Sequence, residues 1–171
     1  MTVNELQEQL IKEIECITKG LSLVNTKGEP ADMQGYPQAI PIFPAFQNIW
    51  EEDDHAEEQL TQSEEELFPY FVVRTDTVDY QVEDKEGSGN RVRVLIAFAV
   101  VDHDPKLKGY FTLMAAIERV AERFQKNQAL GPFWCSRKMS IANQEDDTFP
   151  YFFAGLEMLW YMPEIEQEEM W

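Results

Sequence analysis

The chain has 171 residues, 44% of them hydrophobic, and a formal charge of −18 at pH 7. That length suits one domain with a substantial core rather than two. The charge gives no electrostatic basis for holding a phosphate backbone, since that affinity comes from Lys and Arg releasing counterions; nor does any run reach the roughly eighteen apolar residues of a membrane span.

Thr2-Val3-Asn4-Glu5 has the form of a capping box, and Val3, Leu6, Leu10, Ile14 and Ile17 follow at helical spacing. An amphipathic helix over 1–20 is expected, with Gly20 as its stop. Its apolar stripe needs a partner, either its own sheet or a neighbouring subunit. The polar, acidic start resembles neither a signal nor a transit peptide, so cytoplasmic synthesis is expected. Cys16 and Cys135 are far apart and belong to no Cys-x-x-Cys, which predicts free thiols.

Between residues 25 and 48, Gly28, Pro30, Gly35, Pro37, Pro41 and Pro44 are interleaved with Tyr36, Ile40, Ile42, Phe43 and Phe46. Proline at that density forbids helix and central strand, so an extended surface segment with one or two short edge strands is expected. An acidic block follows Trp50, from Glu51 to Glu58, and another stands at Glu64-Glu65-Glu66. Such blocks are usually solvated loops, and the Asp-x-Asp-x-Asp-Gly spacing that wraps calcium is missing.

Leu67 to Arg74 begins the sheet, and its Phe68-Pro69-Tyr70 opening returns as Phe149-Pro150-Tyr151. The polar, Gly-rich stretch between Val82 and Arg91 reads as the tip of a β-hairpin. Val92, Val94, Ile96, Phe98 and Val100 share one parity of a long strand, while the other parity changes from Arg91 and Arg93 to Leu95, Ala97, Ala99 and Val101. That strand starts half-exposed and becomes covered on both faces. After Asp104-Pro105 and Gly109 the period turns helical, with Tyr110, Leu113, Met114, Ile117, Val120, Ala121 and Phe124 on one stripe. A turn at Leu130-Gly131-Pro132, a strand from Phe133 to Ile141, an acidic turn at Asn143–Thr148 and a last strand from Tyr151 to Met162 complete the order.

The expected class is α+β: a mainly antiparallel sheet, with the N-terminal helix and a long amphipathic helix over about 110–126 packed on one face. One domain spans 1–171, with a core over 67–163 and an acidic tail over 164–171.

Catalytic signals are sparse. Asp102-His103-Asp104 contains metal-ligating types but precedes proline at a strand end, the setting of a turn. Gly87-Ser88-Gly89 is a hairpin tip, not a nucleophile elbow. No phosphate loop or dinucleotide fingerprint appears. Cys135, beside Trp134 and near Arg137, has a lowered pKa as one reading and a half-buried strand thiol as the other. Neither a cofactor nor an enzymatic activity is expected.

The run from Phe68 to Arg74, the hairpin, Arg93 to Asp102 with its Pro-Gly turn, the helix Tyr110 to Phe124, and Phe149 to Trp160 together resemble the tail terminator (neck, or minor tail) proteins of long-tailed bacteriophages. The resemblance covers roughly residues 67–163 and rests on strands, turns and aromatic openings. It implies a virion subunit that forms a ring, usually of six, at the head-proximal end of the tail tube. Its implied partners are other copies of itself, the tail tube protein and a head-completion or connector protein, with viral DNA passing through the lumen without specific binding. Six copies at −18 each would carry roughly −108, which suits such a passage. The alternatives are another neck or tail-completion protein, or an acidic binding module that mimics DNA. The residues singled out for the subunit or partner interface are Tyr36, Phe43, Phe46 and Trp50 in the Pro-rich segment, Tyr80, Val82, Arg91 and Arg93 in the hairpin, and Trp171 in the tail.

Overall fold

A computed structural model describes residues 2–41, 64–83, 85, 88–106, 108–165 and 168. Helix α1 (Val3–Thr18) opens with a complete capping box: the Thr2 hydroxyl accepts the Glu5 N–H, and the Glu5 carboxylate accepts the Thr2 N–H. Leu6, Leu10 and Ile14 are wholly buried in the chain's own core, so α1 covers its own sheet.

Among the described residues seven strands form one sheet: β1 (Gln34–Pro37), β2 (Tyr70–Glu83), β3 (Ser88–Val101), β4 (Ala129–Leu130), β5 (Phe133–Cys135), β6 (Ser140–Asn143) and β7 (Tyr151–Met162). The spatial order is β1-β2-β3-β7-β5-β4, with β6 also on β7. Only the β1–β2 pairing is parallel. A helical turn at 64–67 precedes β2, and helix α2 (Lys108–Lys126) connects β3 to β4.

The core lies between the helices and one face of the sheet. Val92, Val94, Ile96, Phe98 and Val100 of β3 meet Leu156, Met158 and Trp160 of β7 and Leu113, Ile117, Val120 and Phe124 of α2. The Trp160 ring stands edge-on to Phe124 at 5.1 Å. Arg123 ties the helices together: its Nε donates to Glu13 Oε1 at 2.7 Å, and its other nitrogens donate to the carbonyls of Asn127 and Ala129. On the opposite face a smaller cluster of Phe68, Tyr70, Val72, Ala99 and Val101 covers one end of the sheet. The two Phe-Pro-Tyr openings meet there, with the Phe68 ring 4.8 Å from that of Tyr151. Both Phe–Pro bonds are cis.

Three expectations change. The strand expected from Leu67 to Arg74 and the hairpin expected near Val82 are one continuous pair, because β2 and β3 stay in register around bulges at Asp76 and at Tyr80–Gln81. The strand expected from Phe133 to Ile141 is split into β5 and β6, because the Ser136 hydroxyl accepts the Lys138 N–H and turns the chain. Tyr110 leaves the buried stripe and is 41% exposed. Gly109 takes the buried place, where a Cβ would lie 2.5 Å from the Phe152 ring and 2.8 Å from the Asp102 side chain.

Candidate interaction surface

Strand β2 changes character halfway along. Tyr70–Val73 are buried between β1 and β3, whereas no residue of Arg74–Glu83 is. Strand β1 ends at Pro37, and Gln38, at φ 64°, then takes the place of a further strand residue with its side chain. Its Oε1 accepts the Thr75 N–H at 2.6 Å and the Thr75 hydroxyl at 3.1 Å. The buried Gln7 amide donates to that same oxygen at 2.7 Å and to the Val73 carbonyl at 3.0 Å. Past this lock, among the described residues, no strand pairs with the outer edge of β2 from Asp76 to Glu83.

The hairpin that carries this edge is braced internally. Buried Asn90 accepts the Gln81 N–H on its Oδ1 at 3.2 Å, which holds Gln81 at φ 56° and the bulge in place. Tyr80 projects from that bulge and is 64% exposed. Arg91 pairs with Asp79 across the strands at 3.1 Å, and Arg93 with Glu157 at 3.5 Å. Both pairs are solvent-exposed enough to contribute little stability; they set charge on the outer face.

Beyond these pairs the outer face becomes apolar, with a trough of about 610 Å³ lined by Val72, Leu95, Ala97, Ala99, Phe153 and Gly155 among others. Small residues keep its floor low. A Cβ on Gly155 would come within 3.3 Å of Leu95. At the end of β3 remote from the hairpin, Phe111 is 69% exposed beside Tyr110, and Phe149 is 44% exposed beside Phe152. Tyr80 lies level with Asn90–Arg91 and the other aromatics lie past Val101, so the two exposed aromatic ends are roughly 36 Å or more apart along the strand.

Of the residues singled out in the sequence, Tyr80, Val82, Arg91 and Arg93 come together on the hairpin. Tyr36 does not join them. It is half-buried against the smaller cluster, 6.5 Å from the Tyr70 ring, with its pKa raised by burial and then by Glu15. Phe43, Phe46, Trp50 and Trp171 lie outside the described residues, as do the whole of the first acidic block and the end of the tail. Sequence reasoning missed Phe111, Phe149 and the exposed strand β6. Phe111 carries a signal, since it stands off the helical stripe; Phe149 stands in a Phe-Pro-Tyr strand opening, which gives no sign of its exposure.

The chemical candidates resolve into structure. Asp102 Oδ1 accepts the Asp104 N–H and Asp104 Oδ1 accepts the Lys106 N–H, two successive side-chain turns. Among the described residues no group of three or more His, Cys, Asp and Glu is placed to hold a metal ion. Cys16 and Cys135 are both free thiols, and burial pushes the Cys135 pKa up to about 11, the reverse of the lowered value considered from its neighbours. Burial likewise raises Tyr70, with Glu64 adding to the shift. Among the described residues no helix is long and apolar enough to cross a membrane.

No protein-family model matches the chain, and neither does any curated protein.

Proposed function

We propose that this protein is a non-enzymatic structural subunit of a phage virion, a tail terminator. It forms a ring of six copies at the head-proximal end of the tail tube, stops tube polymerisation there and helps join tail to head. The observation that carries this reading is the edge of β2 beyond Gln38, which no strand pairs among the described residues, mounted on a braced hairpin and topped by Tyr80. A long exposed strand edge is a template for pairing, and isolated proteins normally blunt it. Here the blunting is only partial: Gln38 closes Thr75 and the acids Asp76, Asp79 and Glu83 follow. Self-repulsion at −18 per chain keeps dilute copies apart, and assembly completes the edge.

A further feature supports a subunit placed between two others. Exposed aromatics stand at both ends of the strands, Tyr80 at one and Phe111 with Phe149 at the other, and such side chains anchor protein interfaces. The partners are other copies of the chain, the tail tube protein and a head-completion protein, with DNA passing unbound through an acidic lumen.

The test combines light scattering across protein concentration and salt with electron microscopy of purified tail tubes. The expected outcome is a ring favoured by salt that screens the repulsion, or rings seated at one end of the tubes. A chain that stays monomeric and leaves tube growth unchanged would contradict the reading.

A further inference from the structure

We propose that neighbouring copies join head to tail by strand pairing, the open limb of β2 in one copy receiving β6 of the next. This rests on the ring reading above and specifies its contact. Among the described residues the sheet has two flanks without a pairing strand. On one side is β2 from Asp76 to Glu83; on the other is β6, whose four residues are all exposed and which, among the described residues, pairs only with β7. The flanks differ in sequence and surroundings, so joining one to the other is a heterologous contact, the kind that closes rings.

The strand directions allow it. β2 is antiparallel to β3, β3 to β7 and β7 to β6, so a copy rotated about a ring axis presents its β6 antiparallel to the next β2. The levels also fit. Within one copy Ser140 lies level with Glu157, Leu95 and Arg74, and Asn143 with Ala154, Phe98 and Phe71. The open limb lies nearer the hairpin, opposite Ser88–Arg93. Seating β6 on it shifts the neighbour by five or six residues, roughly 19 Å along the strands. Four strands across, β2, β3, β7 and β6, also span about 19 Å. The resulting tilt of roughly 45° falls at the upper end of that found in closed sheets.

That stagger brings together opposite charges. Arg137, just before β6, is exposed, with no ion-pair partner among the described residues, and it arrives beside exposed Glu83 at the end of the limb. Exposed Thr77 then faces exposed Asn143. A second copy of the chain is thus the occupant that both the charges and the strand polarity specify.

The test uses the full chain with Cys16→Ser, since Cys16 is exposed and Cys135 buried. One preparation carries Thr77→Cys and a size tag, another Asn143→Cys, and they are mixed with a short bis-maleimide where scattering reports multimers. The expected product is a covalent dimer containing one chain of each kind, with none from either preparation alone. Multimers that give no mixed dimer would overturn the edge pairing and leave the ring reading standing. A dimer from Thr77→Cys alone would replace it with a limb-to-limb contact. No multimer at any concentration, or on tail tubes, would remove both. As an independent arm, Glu83→Arg is expected to weaken association about fivefold, and Glu83→Arg with Arg137→Glu to restore it to within about twofold. A double variant no better than the single one would count against the register.

Discussion

The two halves of β2 belong to one strand and follow opposite rules. Over Tyr70–Val73 both edges are paired, by β1 and by β3, and the side chains are buried. Over Asp76–Glu83 one edge has no pairing strand among the described residues, although inward side chains of β3 and β7 at the same level stay buried beneath α2: Val92 and Trp160, across from Val78, are wholly inaccessible. The helices cover the centre of the sheet there but not its flank. A strand can therefore be held firmly in place by one neighbour while its other edge remains free to bind.

The largest effect expected from breaking this contrast is at Trp160, level with the bare limb but on its covered side. Trp160→Ala should lower unfolding stability by about 3–5 kcal/mol in urea denaturation, because a large ring leaves a cavity against Phe124. A loss below about 1 kcal/mol would mean that the sheet is loosely packed at this level, contrary to the contrast drawn.

Next is the pH dependence of the covered side. Burial raises the Cys135 thiol from 9.0 to about 11, so the folded chain holds this proton more tightly than the unfolded chain. The sign follows: the contribution is fully present below about pH 9 and is lost as pH rises toward 11, amounting to about 2–3 kcal/mol. Cys135→Ala should flatten that part of the alkaline profile. An unchanged slope between pH 9 and 11 would show that the thiol is not buried as described.

Gly35 tests how closely β1 must approach. A Cβ there would lie 2.3 Å from the Phe71 ring and 2.9 Å from Ile11, so Gly35→Ala should cost about 1–3 kcal/mol and loosen the covered half of β2. At the boundary itself, Gln38→Ala removes the acceptor used by Thr75 and Gln7 and should cost about 1–2 kcal/mol. Faster amide exchange should then spread from Asp76 to Thr75. Smallest of all is Tyr80→Ala, expected to change monomer stability by less than about 0.5 kcal/mol while weakening self-association. A stability loss as large as that at Gly35 would make Tyr80 a structural residue and remove it from the interface.

Much of the core was legible in the sequence because period and burial agree. The single parity of Val92 to Val100 and the α1 stripe from Leu6 to Ile14 needed no tertiary information. The change along the other parity of β3, from Arg93 to Ala99, also announced where the outer face would be covered. The proposed interface was less legible. Whether an edge is paired depends on where another strand stops, and β1 stops because Gln38 turns with positive φ and closes Thr75 by its side chain. Nothing local to β2 records that event. At the break between β5 and β6 the Ser136 hydroxyl accepts the Lys138 N–H, and that break leaves a short exposed strand on the opposite flank. Tyr110 misled for a steric reason, since only Gly109 fits where the stripe would have placed a side chain.

The most direct measurement is amide hydrogen exchange over Asp76–Glu83, compared between the dilute chain and the chain assembled in concentrated solution or on tail tubes. The account predicts that the outward amides of this limb exchange fast when the chain is dilute and slow by about tenfold or more on assembly, while Tyr70–Val73 stay protected throughout. Limb exchange that is the same in both states would contradict the claim that this edge is where the protein assembles.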